Sequence, residues 1–218
     1  GNWVNSIALY ALILQLTGSG MAMAAAMMAK LLPMVVVSPL AGVVIDRMDR
    51  KNILIASDVL RCLTVLGFLM VDGKEDLWLV YTLTLLEVAL SGFFEPARSA
   101  ILPSLVPRNH LVTANALSGA TWSVMLALGA ALGGFVVSLL GIRTAFILDA
   151  ITYLVSAGFI IRISSPGKKS EEPVANNVGS GFKGLVEGGR YLLAQPIVLA
   201  LALLKSGVAI KGGIMTLV

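Results

Sequence analysis

Charged residues are scarce in this chain. Only 13% of its 218 residues are Asp, Glu, Lys or Arg, whereas a soluble domain usually carries about 25%. Hydrophobic residues make up 57% of the sequence, and apolar runs of about 20 residues, the length that crosses a bilayer, recur along it. The shortage of charge excludes an ordinary soluble fold and predicts a protein that crosses the membrane several times.

Cysteine and histidine are almost missing, with one of each. Cys62 cannot form an intrachain disulfide, and no spaced cysteine pattern for a metal arises. His110 stands alone in a polar loop, where we interpret it as a surface residue. Phosphate-loop, nucleophile-elbow and zinc-protease signatures do not occur, so we predict no enzyme, no metal and no cofactor. The net charge of +4 reports membrane orientation and not nucleic-acid binding.

Seven apolar segments can be marked along the chain. They cover roughly residues 3–17, 21–45, 52–71, 77–103, 111–140, 142–163 and 196–218. Strand alternation is absent, and only helices or closed barrels span lipid, so we predict an all-α polytopic membrane protein. We expect a six-helix amino-terminal bundle over 1–163, a cytoplasmic loop over 164–195 and the start of a seventh helix over 196–218. The first and last segments read as truncated.

The connectors between segments differ in basic charge. Those after segments 1, 3 and 5 hold two basic residues, Lys74 and Arg143. Those after segments 2, 4 and 6 hold nine: Arg47, Arg50, Lys51, Arg108, Arg162, Lys168, Lys169, Lys183 and Arg190. By the positive-inside rule the second set lies in the cytoplasm. At the end of the long connector, residues 181–196 place apolar side chains on one helical face, which favours an amphipathic surface helix over a solvated linker.

The loop between segments 2 and 3 carries a specific pattern. It reads "GVVIDRMDRK", with Gly42, Asp46, Arg47, Arg50 and Lys51 at the positions of a signature G-x-x-x-D-R-x-G-R-[RK]. This signature resembles that of the major facilitator superfamily, in which it lies in the cytoplasmic loop between helices 2 and 3.

One position departs from that signature. Asp49 replaces its second glycine, which resembles the drug- and siderophore-exporter-like branch that includes enterobactin exporters and macrolide efflux proteins. The stretches "LQLTGS" at 14–19, "FFEPARSAILPSLVPRNHLVTANAL" at 93–117 and "LDAITYLVSA" at 148–157 also resemble this branch. The resemblance implies the amino-terminal half of a transporter whose carboxy-terminal half follows.

The resemblance implies a gating role for the charged loop. In the family, the acid and base that correspond to Asp46 and Arg50 join a charge network that holds the two halves together while the cavity faces outward. The alternative is a plain anchor of basic residues at the membrane surface. Glu95 lies 18 residues after Leu77, roughly 27 Å along segment 4. That depth makes Glu95 a candidate partner for Arg50, with Arg98 alongside; a local Glu95–Arg98 pair is the alternative.

Three charges fall near the middle of the bilayer. Glu87 lies about 15 Å along segment 4, where a carboxylate is costly and should face a cavity or a partner. Because this segment lines the transport cavity in the family, we interpret Glu87 as a proton or cationic-substrate site. A structural ion pair with Lys30, at similar depth on segment 2, is the alternative. Lys205 on segment 7 is a further substrate-site candidate.

The remaining intramembrane charges and glycines read as structural. Asp58 and Arg61 are three residues apart on segment 3, a more peripheral helix in the family, which favours an internal bridge. Asp149 on segment 6 is interpreted similarly. Segment 5 contains three glycines at spacings that let helices pack closely: Gly129, Gly133 and Gly134. They resemble an antiporter signature, but Ala130 replaces its proline.

These observations predict a proton-coupled secondary transporter of the bacterial inner membrane. It would work by alternating access and export small amphiphilic molecules such as drugs or siderophores. Its expected partners are the substrate, protons and the lipid bilayer. Alternatives are a lysophospholipid flippase, the membrane half of a lipid-remodelling acyltransferase fusion, and a non-transporting sensor or scaffold.

Overall fold

A computed structural model describes residues 2–163, which form helices joined by short turns. The helices are α1 (Asn2–Thr17), α2 (Gly20–Ala29), α3 (Leu31–Arg47), α4 (Arg50–Gly67), α5 (Leu77–Leu105), α6 (Leu111–Leu140) and α7 (Ile142–Arg162). Short 3₁₀ turns at Phe68–Met70, Lys74–Asp76 and Arg108–His110 join them. No strand occurs over this range, and the prediction of an all-α membrane bundle is confirmed. The predicted amphipathic helix and segment 7 lie outside the described residues.

The second predicted segment is divided into two helices. α2 ends at Ala29 and α3 begins at Leu31, with Lys30 at the joint. Pro33 explains the break, because it has no N–H to donate to the carbonyl of Ala29 and its ring crowds that carbonyl. The sequence pattern predicted one continuous helix over 21–45, since both pieces are apolar.

Four of the helices, with the 3₁₀ turns that adjoin three of them, are long and apolar enough to cross a membrane. They span Arg50–Met70, Lys74–Leu105, Arg108–Leu140 and Ile142–Arg162. On α4 the usual polarity of a soluble helix is inverted. Its polar side chains at Ser57, Asp58, Arg61 and Thr64 are buried, while its large apolar side chains at 59, 60, 63 and 66 are exposed. An apolar outer surface around polar interior groups is what a lipid solvent favours.

The bundle has two apolar clusters with a polar layer between them. One cluster joins α1 to the carboxyl half of α4 and the amino halves of α5 and α7, around the stacked rings of Phe68 and Phe146. The other joins α3 to the amino half of α4 and the carboxyl half of α5, around Ile53 and Ile101. Between them lie buried polar side chains from three helices: Asp58, Arg61, Glu87 and Asp149. α4 packs against both α5 and α7, so it contributes to this layer from the interior.

α6 packs on α1 through two of the three predicted packing glycines. A Cβ added at Gly129 would lie 2.9 Å from Cβ of Trp3, and one at Gly133 would lie 3.0 Å from Cα of Val4. A Cβ at Gly134 would meet no described atom within 4 Å. Glycine at 129 and 133 therefore permits the close approach of these helices, and Gly134 does not contribute to it.

Candidate functional site

A buried ion pair occupies the polar layer. Nη2 of Arg61 on α4 lies 3.9 Å from Oε1 of Glu87 on α5, and the two side chains are 3% and 8% exposed. Within the described part of the chain, Oε2 of Glu87 and Nε of Arg61 have no hydrogen-bond partner. The pair is long and incompletely satisfied, which is unusual for buried charges.

Aromatic and amide groups from other helices surround this pair. Nη2 of Arg61 donates a hydrogen bond of 2.8 Å to Oδ1 of Asn2, which also accepts one of 2.8 Å from the hydroxyl of Tyr153. The same hydroxyl lies 3.4 Å from Oε1 of Glu87. The guanidinium carbon is 4.5 Å from the ring centroid of Tyr153 and 5.7 Å from that of Phe94. These contacts tie α1, α4, α5 and α7 together at one point.

The ion pair forms part of the wall of a cavity of about 430 Å³. Its charged lining residues are Lys30, Arg61, Glu87 and Glu95, and its uncharged lining residues are Asn2, Ser6, Val88, Ser91, Gly92, Pro96 and Ser99. Its volume lies within the range of about 300–1,000 Å³ typical of small-molecule sites. The structure thus brings the predicted site residues Glu87 and Lys30 to one cavity.

Lys30 does not pair with Glu87. Its Nζ donates a hydrogen bond of 3.3 Å to Oγ of Ser6 and lies 5.1 Å from the ring centroid of Tyr10. Among residues 2–163, the ion pair of Glu87 is with Arg61. Glu87 therefore has a structural partner, as the alternative interpretation required, but the partner is a different base.

Arg61 and Asp58 were predicted to pair with each other along one helix. In the structure Arg61 turns to α5, while the carboxyl group of Asp58 lies against the Ser156 side chain of α7. No ion pair joins the two residues within the described range. Asp149 is also buried, and Oγ1 of Thr152 lies 3.4 Å from its Oδ1. α4 thus contributes buried charged side chains from one face, while its opposite face is exposed.

The loop between α3 and α4 is held by two of its charged residues. Asp49 is the N-cap of α4, and its Oδ1 accepts hydrogen bonds from the amides of Lys51 (2.8 Å) and Asn52 (3.3 Å). Asp and Gly are both favourable at an N-cap, which explains why aspartate can replace the glycine of the signature. Nζ of Lys51 donates to the carbonyls of Ile161 and Ile163, both at 2.8 Å. A lysine at the end of α7 also complements the negative end of its dipole.

Arg50 and Glu95 are not paired with each other in the described structure. Nη1 of Arg50 donates to the carbonyl of Ala100 on α5 at 3.0 Å. Oε2 of Glu95 lies 3.7 Å from Nε of Arg98, and Nη2 of Arg98 donates a hydrogen bond of 3.3 Å to Oγ of Ser118. The structure therefore contains the local Glu95–Arg98 contact that was the alternative interpretation. Both side chains are about half exposed, so the contact is weak.

The remaining loop residues lie at the end of α3. Asp46 is exposed and forms no ion pair within residues 2–163. Arg47 is also exposed, and a Cβ added at Gly42 would meet no described atom within 4 Å. Lys205, the substrate-site candidate on segment 7, lies outside the described residues.

Sequence reasoning missed the uncharged members of the site. Asn2 and Tyr153 together bridge Arg61 and Glu87. The hydroxyl of Ser6 accepts a hydrogen bond from Lys30. Tyr153 lies inside the stretch "LDAITYLVSA", which stands out in the sequence only by its resemblance to a family. A polar side chain in an apolar run is the signal that could have indicated them, because each must find a partner inside the bundle.

The fold and the cavity define a class of protein. Several apolar helices enclose a polar layer, charged side chains from different helices face one cavity, and the surface around them is apolar. This is the construction of a multi-pass membrane protein with an interior small-molecule site.

The sequence model of the Major Facilitator Superfamily matches residues 1–218. The chain belongs to this family of transporters, as predicted from the loop signature.

Several curated relatives are similar to the chain. An uncharacterised MFS-type transporter of Bacillus subtilis, YfiS, is 28% identical over 91% of the chain and 47% of its own length. The putative bacilysin exporter BacE of Bacillus amyloliquefaciens is 32% identical over 77% of the chain and 41% of its length. Macrolide efflux protein A of Streptococcus pyogenes is 26% identical over 78% of the chain and 43% of its own length. The chain spans about half the length of these relatives.

Proposed function

We propose that the chain is the amino-terminal half of a proton-coupled exporter of small amphiphilic molecules that works by alternating access. The observation that carries the proposal is the Arg61–Glu87 pair in the wall of a membrane-interior cavity. Relatives with efflux names support the direction of transport. The protein would reside in the bacterial plasma membrane, with the loop between α3 and α4 in the cytoplasm.

The chemistry of the pair supports the proposal of proton coupling. Glu87 can take up a proton, whereas a guanidinium stays charged. Protonation would remove the attraction between Glu87 and Arg61, which lie on different helices. The contact of α4 with α5 would therefore have two electrostatic states, and a substrate that favours one state would bind in competition or in concert with the proton.

The charged loop is proposed to hold one state of the transporter. Asp49 and Lys51 fasten the start of α4 and the end of α7, so the loop is positioned by contacts within this half. Asp46, exposed at the end of α3, is available for the other half. An aspartate docked at a helix amino terminus gains roughly 0.3–1 kcal/mol, enough to bias a small conformational difference while remaining breakable.

A flux measurement tests the proposal. The transporter with its carboxy-terminal half would be reconstituted in proteoliposomes and given a pH jump in the presence of lipophilic cations, siderophores and lysolipids. We expect the flux of at least one class to follow the imposed pH gradient and to stop when a protonophore is added. Failure of every compound to respond to the gradient would remove the proton-coupled mechanism, and gradient-independent movement of lysolipids would favour the flippase.

A further inference from the structure

The cavity wall holds two acids and two bases, and only some of them lie within ion-pair distance of an opposite charge. Arg61 is opposed by Glu87 at 3.9 Å, and Glu95 is opposed by Arg98 at 3.7 Å. Arg98 itself is outside the lining of the cavity. Lys30 is therefore the lining charge whose ammonium has no carboxylate at ion-pair distance among residues 2–163, although Glu87 acts on it from farther away in the same cavity.

The contacts of Lys30 at short range are to uncharged groups. Its ammonium has three donors, and the structure shows one hydrogen bond, 3.3 Å to Oγ of Ser6, with the ring of Tyr10 at 5.1 Å. A hydroxyl and an aromatic face stabilise a cation without neutralising it.

The depth of Lys30 in the bundle makes a lysine without an ion-pair partner costly. It lies ten residues into the second apolar segment from Gly20, roughly 15 Å along the helix, and a cationic side chain at such depth normally faces a partner or a transport pathway. It also occupies the joint between α2 and α3, where Pro33 interrupts the helix. A charge held at a helix break can respond to a ligand without disturbing a continuous hydrogen-bond ladder.

We propose that Lys30 binds an anionic group of the transported molecule, so that the substrates are amphiphiles that carry a negative charge. The apolar part of such a molecule would lie along Val88, Gly92 and Pro96 on α5, which line the same cavity. This inference rests on the proposed transport function and narrows it, because the sequence predicted small amphiphilic substrates and, at Glu87, a proton or cationic-substrate site.

Equilibrium binding of two matched probes tests the anion site. N-dansyl-leucine and its methyl ester differ only in the carboxylate, and their fluorescence on binding to the transporter in nanodiscs gives both dissociation constants. We expect the acid to bind about tenfold more tightly than the ester, a factor that corresponds to about 1.4 kcal/mol. In Lys30→Gln the two constants should become equal while the ester constant stays unchanged.

Two control variants sharpen the measurement. Lys30→Arg keeps the charge and should keep the preference for the acid. Lys74→Gln removes an exposed lysine of a connecting turn and should change neither constant. Equal binding of acid and ester by the unaltered protein, or a preference for the acid that survives in Lys30→Gln, would overturn the proposal.

Competition identifies the source of the anion. Displacement of the acid by lysophosphatidylglycerol and not by lysophosphatidylcholine would indicate a lipid headgroup, and displacement by neither would indicate a soluble organic acid. Because binding is measured without a gradient, the two proposals fail separately. A Lys30-dependent preference for the acid without proton-driven flux would remove the transport mechanism and leave the anion site.

Discussion

Removing either member of the buried ion pair should destabilise the protein. The pH dependence of that loss should differ between the two removals. Arg61→Met leaves the Glu87 carboxylate in the polar layer without its base, and Glu87→Gln leaves the guanidinium without its acid. Breaking a buried pair from one side costs roughly 3–5 kcal/mol. The 3.9 Å separation places this pair at the lower end, so we expect about 3 kcal/mol for each variant at neutral pH.

The two variants should then respond differently to pH. Glu87 in Arg61→Met can escape the cost by taking up a proton, so that variant should regain stability as the pH falls. The guanidinium in Glu87→Gln cannot lose its charge, so its stability deficit should persist. The double variant Arg61→Met/Glu87→Gln lacks both members of the pair and should be more stable at neutral pH than Arg61→Met alone.

Thermal unfolding of the transporter in nanodiscs at pH 7.5 and pH 5.5 measures these differences. The double variant is the control for the other contacts of Arg61, since it also lacks the hydrogen bond to Asn2 and the contact with the Tyr153 ring. Equal pH responses of the two single variants would refute the reasoning. The reasoning would also be refuted if the stability loss of the double variant equalled the sum of the losses of the two single variants, because the two residues would then show no coupling energy.

Variants at three further sites test the helix packing, the N-cap and the latch. Gly133→Ala should destabilise the bundle by about 1–3 kcal/mol, because its Cβ would lie 3.0 Å from Cα of Val4, whereas Gly134→Ala, which meets no described atom, should be neutral or slightly stabilising in the same unfolding assay. Asp49→Ala should cost about 1 kcal/mol and speed hydrogen exchange of the first amides of α4, while Asp49→Gly should cost only a few tenths of a kcal/mol; equal effects would rule out the N-cap explanation. Asp46→Asn should slow transport in proteoliposomes while membrane insertion stays intact, and normal transport rates in this variant would remove the latch.

The sequence predicted the elements of this fold well. Apolar runs of bilayer length between polar connectors located the helices to within a few residues, because in lipid the backbone must satisfy its own hydrogen bonds. The signature in the loop between α3 and α4 was sufficient to indicate the family. The break at Lys30 was missed, although Pro33 marks it, because hydropathy does not distinguish a continuous helix from one that is interrupted at a single residue.

The pairing of charges could not be predicted in the same way. Spacing along one helix shows which residues share a face, and it correctly joined Glu95 to Arg98 as an alternative. It cannot show how α4 is rotated relative to α5, since both lipid and neighbouring helices accept apolar side chains. Arg61 was therefore matched with Asp58 on its own helix, while the structure matches it with Glu87 on the next. The role of Asn2 as a bridge depends on the same rotation.

The most direct test of the central claim is transport by Glu87→Gln in proteoliposomes, with gradient-driven accumulation and equilibrium exchange of one substrate measured side by side. If Glu87 is the group that couples the proton to the substrate, the variant should lose accumulation driven by the pH gradient and retain exchange. Accumulation that still follows the pH gradient in Glu87→Gln would contradict the account.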